Sequence, residues 1–140
     1  EKENRGSHNN KSNSKENVIQ RIRNSKSLQD LLHFHQKHKA ELRPSHVSTC
    51  WNQATRFIRD ERQTINQNPG IFLTLINHTI LMIKDYDVHS LARTIHGIAK
   101  ISSQTKLMVD PSFWKIVEEE TMKIKRIEAQ QISNILWAFA

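Results

Sequence analysis

The strongest constraint on the fold is an apolar pattern that recurs at offsets of 44 and then 41 residues. In the first helix of each of three units, the residues that coincide are Leu28, Phe72 and Phe113; Leu31, Leu75 and Ile116; and Leu32, Ile76 and Val117. In the second helix they are Val47, Leu91 and Ile132; Trp51, Ile95 and Leu136; and Ala54, Ile98 and Phe139. Because one pair of offsets aligns both helices, the register predicts a helix-pair repeat, with an irregular helical bundle as the alternative.

Helical periodicity and capping residues predict six helices. Their approximate ranges are 27–39, 44–61, 69–84, 87–101, 110–123 and 128–140. Ser27 is a candidate N-cap of the first helix, and the Asp110-Pro111 pair is typical of a helix start. Glycine and proline number only three each, too few for the turns of a β-rich fold.

The predicted fold class is all-α, an α-solenoid of three antiparallel helix pairs in units of about 27–67, 68–109 and 110–140. A single helix pair cannot cover its own apolar face, so neighbouring units are expected to stack and bury it. The third unit ends at Ala140 inside an apolar run, which suggests a fragment. We therefore expect its open end to meet further repeats or a docking partner.

Residues 1–26 are predicted to form a disordered basic tail, because residues 1–17 contain no aliphatic or aromatic side chain, and the folded part is expected to begin near Val18 or Ser27. The net charge is +7, and the tail carries seven Lys or Arg residues against three Glu. Residues 27–140 carry fourteen basic and eleven acidic residues, a milder surplus. A basic surplus favours nucleic acid through phosphate contacts, and ordinary solvated helix surfaces are the alternative interpretation.

Several classes of chemistry lack their usual residues. The single cysteine, Cys50, excludes an intrachain disulfide and a cysteine-based zinc site. No run of eighteen apolar residues predicts a membrane span. Neither a glycine-rich phosphate loop nor a nucleophile signature is present, so we predict no catalytic residues, no cofactor and no enzyme activity.

A histidine cluster lies on the first helix, at His33, His35 and His38. Only His35 and His38 share a helix face, and two imidazoles without a third ligand make a weak metal site. We therefore predict no metal, and interpret these histidines as surface and interhelix residues.

Two columns of polar residues follow the same offsets, beside the apolar stripe of the first helices. They consist of Asp30, Thr74 and Lys115, and of His33, Asn77 and Glu118. Their identities vary between units, as residues that read RNA bases would, although an unconstrained surface varies in the same way. Phosphate contacts are predicted from basic residues near the helix ends: Lys37, Lys39, Lys84, Lys123, Lys125 and Arg126.

The segment EAQQISNILWAFA, Glu128–Ala140, resembles the second helix of octotricopeptide repeats, which are helix-pair repeats of organellar proteins in algae and other protists. The matching residues are Ile132, Ser133, Asn134, Leu136, Trp137, Ala138, Phe139 and Ala140. The segment 87–101 is similar but has Arg93, His96 and Gly97 where the family has Asn, Trp and Ala. Related repeats accompany RAP-domain and FAST-kinase-like mitochondrial proteins.

The resemblance spans about residues 27–140 and implies a non-enzymatic RNA-binding factor of the mitochondrial matrix or chloroplast stroma. Such a factor would act in RNA processing, stability, translation or ribosome assembly, with single-stranded or ribosomal RNA and other proteins as partners. The alternative is a structural scaffold subunit docked in a large organellar assembly through its solenoid surfaces. A third possibility is an enzyme whose catalytic domain, for example a RAP-type nuclease-like domain, lies beyond Ala140.

Overall fold

The computed structural model describes residues 18–123 and 129–139, with side chains for 18–123 and 133–139. Every regular element within these residues is helical, so the predicted all-α class is confirmed. The α-helices are 18–23 (α1), Leu28–His38 (α2), Pro44–Thr55 (α3), Ile58–Gln67 (α4), Leu73–Met82 (α5), Val88–Gln104 (α6), Pro111–Met122 (α7) and Ala129–Phe139 (α8). Short 3₁₀ helices, Lys39–Glu41 and Ile83–Asp85, follow α2 and α5.

The boundary of the predicted disordered tail at residue 26 is wrong, because residues 18–23 form α1. Ile22 is completely buried in the common core, and Val18 packs against that core. The Gln53 side-chain amide donates to the Arg23 carbonyl at 3.2 Å, which ties α1 to α3. Predicted disorder in residues 1–17 lies outside the described residues.

Side-chain caps fix three helix starts. The Ser27 hydroxyl accepts from the Asp30 backbone N–H at 3.0 Å, and the Asp110 carboxylate accepts from the Ser112 N–H at 2.9 Å. Both predicted caps are therefore confirmed. The hydrogen bond from the Ser112 backbone N–H is also the main cause of the lowered pKa of Asp110. Asp87 caps α6 in the same way, accepting from the Ser90 N–H at 2.6 Å.

Helix boundaries between the first two units differ from the prediction. The second helix ends at Thr55 rather than near residue 61, and residues that were expected to form a loop belong to α4. Apolar side chains one heptad apart, Ile58 and Ile65, anchor α4 in the core. The Glu61 carboxylate accepts from the Leu28 N–H at 2.7 Å, so α4 also caps the start of α2 across the fold.

The start of the third predicted helix lies three to four residues later than expected, at Leu73. Residues 69–72 form turns instead, with the Ile71 N–H donating to the Asn68 carbonyl and the Leu73 N–H to the Gly70 carbonyl. The Pro69-Gly70 pair explains the difference, since this dipeptide favours a turn over the first turn of a helix. The next helix, α6, continues past the predicted end at residue 101 to Gln104.

Equivalent helices of successive units pack on one another. Helix α6 lies against both α3 and α8, and α2 packs against α5. Close pairs include Trp51 with Gly97, His35 with His78, and His96 with Trp137. The two residues of each pair lie 41 to 46 positions apart, close to the repeat offsets, as stacked helix pairs require. The coiling of these units into a solenoid stays a prediction.

Burial follows the repeat at aligned positions of all three units, but not on one side of α8. The aligned residues Leu28, Phe72 and Phe113 are all buried, as are Trp51 and Ile95. On α8, by contrast, Leu136 is 62% and Phe139 43% exposed, although the sequence predicted both to face inward. Helices of neighbouring units bury Trp51 and Ile95, whereas on α8 the Phe139 ring meets the Trp114 ring of α7 edge to face at 6.0 Å and stays partly exposed.

Candidate nucleic-acid interface

The exposed side of the first helices α2 and α5 contains two depressions. The first has a volume of about 500 Å³ and lies between α2 and α4. Its lining residues are Gln29, Leu32, His33, Gln36, Glu61, Thr64 and Ile71. The second has a volume of about 380 Å³ and lies where α5 meets the turn after α2. Its lining residues are Lys39, Ala40, Thr74, Asn77, His78 and Leu81.

The first depression combines apolar carbon with side-chain amides, a histidine and the Glu61 carboxylate. Leu32 and Ile71 are half-buried and pack against the core. Gln29, His33 and Gln36 lie on one face of α2 and are exposed. The Glu61 carboxylate accepts from the Leu28 N–H and so serves the helix start. This combination suits a flat heterocycle, which offers a π face and a hydrogen-bonding edge.

The second depression is lined by a positively charged side chain, that of Lys39. Thr74, Asn77 and His78 project from one face of α5, and Lys39 comes from the turn that follows α2. Hydroxyl, amide, imidazole and ammonium groups all offer N–H or O–H donors. Since its described lining includes no carboxylate, the second depression suits an anion.

A histidine pair joins the two first helices behind the second depression. His35 Nε2 lies 2.8 Å from His78 Nδ1, and His35 is buried while His78 is half-buried. The pKa of His35 is lowered to about 4, mainly by burial and to a smaller extent by His78 and Lys39. Burial and then Lys39 lower the pKa of His78 as well. Both rings are therefore neutral at pH 7, with one nitrogen donating and the other accepting.

His35 and His38 share a face of α2 but contact different groups. His35 contacts His78 across the unit boundary. The His38 ring instead lies 4.7 Å from the Phe34 ring, and its Nδ1 lies 3.9 Å from a Glu41 carboxylate oxygen. Within residues 18–123 and 129–139, no three His, Cys, Asp or Glu side chains are grouped so that they could hold a metal ion.

The two predicted polar columns are divided among several places. His33 lines the first depression, and Thr74 and Asn77 line the second. The Asp30 carboxylate accepts from the Lys26 N–H at 3.1 Å and is thereby held at the start of α2. On α7, the remaining members are exposed: Lys115 and Glu118. Sequence reasoning missed Gln29 and Gln36, although their helical spacing from His33 was visible.

The predicted phosphate-contacting residues also separate. Lys39 lines the second depression, while Lys37 and Lys84 are exposed elsewhere on the surface. Lys123 Nζ lies 3.3 Å from a Glu120 carboxylate oxygen, which offsets its charge. Two further predicted contacts lie outside the described residues: Lys125 and Arg126.

The Cys50 thiol is fully buried, and burial raises its pKa to about 12, so it is protonated at pH 7. Among the described helices, none has both the length and the apolar character needed to cross a bilayer.

Searches of protein-family profiles, curated proteins and solved structures with this chain return no match.

Proposed function

We propose that this protein is a helical-repeat RNA-binding factor that holds single-stranded RNA across α2 and α5. The observation that carries the proposal is that polar residues predicted from the repeat register line both depressions. His33 belongs to the first, and Thr74 and Asn77 belong to the second beside Lys39. In line with the octotricopeptide resemblance, the factor would be non-enzymatic and would act on organellar transcripts or in ribosome assembly.

The two depressions complement the two parts of a nucleotide. The uncharged amides and apolar carbons of the first match a base, which is read by stacking and by hydrogen bonds at its edge. The lysine and the neutral donors of the second match a phosphate. Phosphate contacts release counterions, so binding should weaken as salt increases.

The test is fluorescence anisotropy of the full chain with a labelled single-stranded RNA over a series of salt concentrations. We expect binding in low salt, and Lys39→Gln should reduce the slope of log K against log salt by about 0.7. Lys106→Gln is the matched control, because Lys106 is an exposed lysine that lines neither depression. Absence of salt-sensitive binding in low salt would exclude the proposal.

A second candidate function, a scaffold subunit of a large assembly, is favoured by the exposed apolar side of α8. Leu136, Trp137 and Phe139 are exposed there. The occupant we propose is an amphipathic helix of a partner subunit, packed on α8 as α8 packs on α6.

Size-exclusion chromatography of native extract tests the scaffold function. Wild type should elute at fixed stoichiometry with other subunits, and Leu136→Glu should elute as a monomer that still binds RNA equally well. Met108→Glu is the control, because Met108 is a similarly exposed apolar residue in the loop before α7. A wild-type monomer, or loss of the complex in both variants, would count against this function.

A further inference from the structure

We propose that the second depression is a phosphodiester-binding subsite in which His78 donates a hydrogen bond to the anion and the hydrogen bond between His35 and His78 sets which nitrogen of His78 carries the proton. The inference rests on the proposed RNA-binding function and deepens it by naming the group bound at one place. The residues that carry it are Lys39, Thr74, Asn77, His78 and the buried His35.

The donor set of the depression matches a single negative charge. Lys39 provides the one cationic group, and Thr74 and Asn77 add a hydroxyl and an amide on the same face of α5. Helix α5, LTLINHTILM, contains no acidic residue that would repel an anion. In the described lining the cationic side chain is a lysine, which binds phosphate as a point charge.

The imidazole pair controls which nitrogen of His78 carries its proton. His78 Nδ1 lies 2.8 Å from His35 Nε2, so its other nitrogen, Nε2, is on the side of the ring away from His35. When His35 donates, His78 Nδ1 accepts and the proton of neutral His78 sits on Nε2 as an available donor. In the opposite tautomer, Nε2 of His78 carries a lone pair that repels phosphate oxygen. A bound phosphodiester therefore selects the first arrangement.

Anion binding at this place is coupled to protonation of His78. The charged or titratable groups that face its ring are His35 from α2 and Lys39 from the following 3₁₀ turn, and α5 itself contains no other titratable residue. In the free protein, burial and then Lys39 lower the pKa of His78. A phosphate beside the ring adds an opposite charge, which raises that pKa.

The sign of the pH dependence follows from linkage. The bound state holds the proton more tightly than the free state, so binding takes up protons between the two pKa values. Affinity for a phosphodiester should therefore increase as pH falls through the bound-state pKa, and level off below the free-state pKa. Above this window His78 acts as a neutral donor and binding is pH-independent.

The experiment uses dimethyl phosphate, which remains a monoanion between about pH 5 and pH 8, the range in which histidine titrates. The His78 ring nitrogens of the full chain are followed by long-range proton–nitrogen NMR, with sodium chloride at equal ionic strength as the reference. We expect saturable shifts at His78 and an increase in its pKa with dimethyl phosphate only. Equal responses to both salts would overturn the subsite.

Two variants separate the roles. His78→Gln keeps an amide donor but cannot titrate, so it should bind dimethyl phosphate with an affinity that no longer changes with pH. Lys39→Gln should weaken binding by roughly three- to tenfold, as expected for loss of one charge-assisted hydrogen bond at a solvent-exposed site. Lys106→Gln should match wild type. A pH dependence that survives in His78→Gln would overturn the role of His78.

The same titration with labelled RNA distinguishes this inference from the proposed function. RNA binding without a response of His78 to dimethyl phosphate would overturn the subsite and leave the RNA-binding function standing. A specific His78 response without RNA binding would support the subsite and overturn RNA as the source of the phosphate. Uridine, which lacks phosphate, should leave His78 unchanged in every case.

Discussion

The hydrogen bond between Trp51 and Thr79 is the buried polar contact from which we expect the clearest effect on stability. The indole Nε1–H donates to the Thr79 Oγ1 at 2.9 Å, and both side chains are buried. Thr79→Val replaces the hydroxyl with a methyl group of similar size, so the indole N–H loses its acceptor while the shape of the core is kept. An unsatisfied buried donor costs about 1–3 kcal/mol, and the helix propensities of Thr and Val are nearly equal.

Urea unfolding followed by far-ultraviolet circular dichroism measures this cost, with an unchanged m-value. In thermal unfolding, the Tm of Thr79→Val should fall by about 4–12 °C, taking roughly 4 °C per kcal/mol for a domain of this size. Ser48→Ala is the control, because the Ser48 hydroxyl is buried and has no hydrogen-bond partner among the described residues. If Thr79→Val stayed within about 0.5 kcal/mol of wild type, or Ser48→Ala lost as much, the reasoning would be refuted.

Two further predictions concern packing and pH. In urea unfolding, Gly97→Val should destabilise the fold by about 2 kcal/mol or more, because a Cβ there would lie 3.3 Å from the Trp51 Cβ. Gly70→Ala is the control and should stay close to wild type, because a Cβ at Gly70 would have nothing within 4 Å. Stability should fall as pH drops from 6.5, the ordinary pKa of histidine, toward the His35 pKa of about 4, since the unfolded state binds the proton more readily. The loss of about 2–3 kcal/mol should be reduced in His35→Gln, and a pH-independent urea midpoint in wild type would contradict it.

Local signals made part of the fold predictable. Ser27, Asp110 and Pro111 act within one helical turn, so their sequence alone determines where α2 and α7 begin. The missed elements depend on distant partners. Helix α4 is tied to α2 through Glu61, whose carboxylate binds a backbone N–H 33 residues away, and no local pattern encodes that bond.

The extent of the tail was misjudged for a different reason. The composition argument covered only residues 1–17, and the apolar face of α1, to which Ile22 belongs, was too short for periodicity to decide between Val18 and Ser27 as the start of the fold. Periodicity likewise identified α8 as amphipathic but could not show whether Leu136 has a neighbour to cover it. A pattern gives the side of a helix that can be buried, and only packing determines which part is covered.

The candidate site was predictable in composition but not in arrangement. The repeat register indicated Thr74 and Asn77, yet not that Lys39 would join them, because Lys39 belongs to the preceding unit. The His35–His78 contact was also missed, since the two residues lie 43 positions apart and so miss the offset of 44 by one residue. Contacts that cross a unit boundary depend on how units stack.

The two helix layers differ in the chemistry of their contacts, and this difference bears on function. Between the second helices α3 and α6, Trp51 packs on Gly97, a contact without a titratable group, so it does not depend on protonation near neutral pH. Between the first helices α2 and α5, a neutral imidazole pair forms the contact, and one of its rings also lines a depression. A ligand that changes the protonation of His78 therefore acts directly on the hydrogen bond between units. We therefore expect the proposed binding on the first-helix face to be coupled to the packing of the units through His78, whereas the Trp51–Gly97 contact between the second helices should not respond to it.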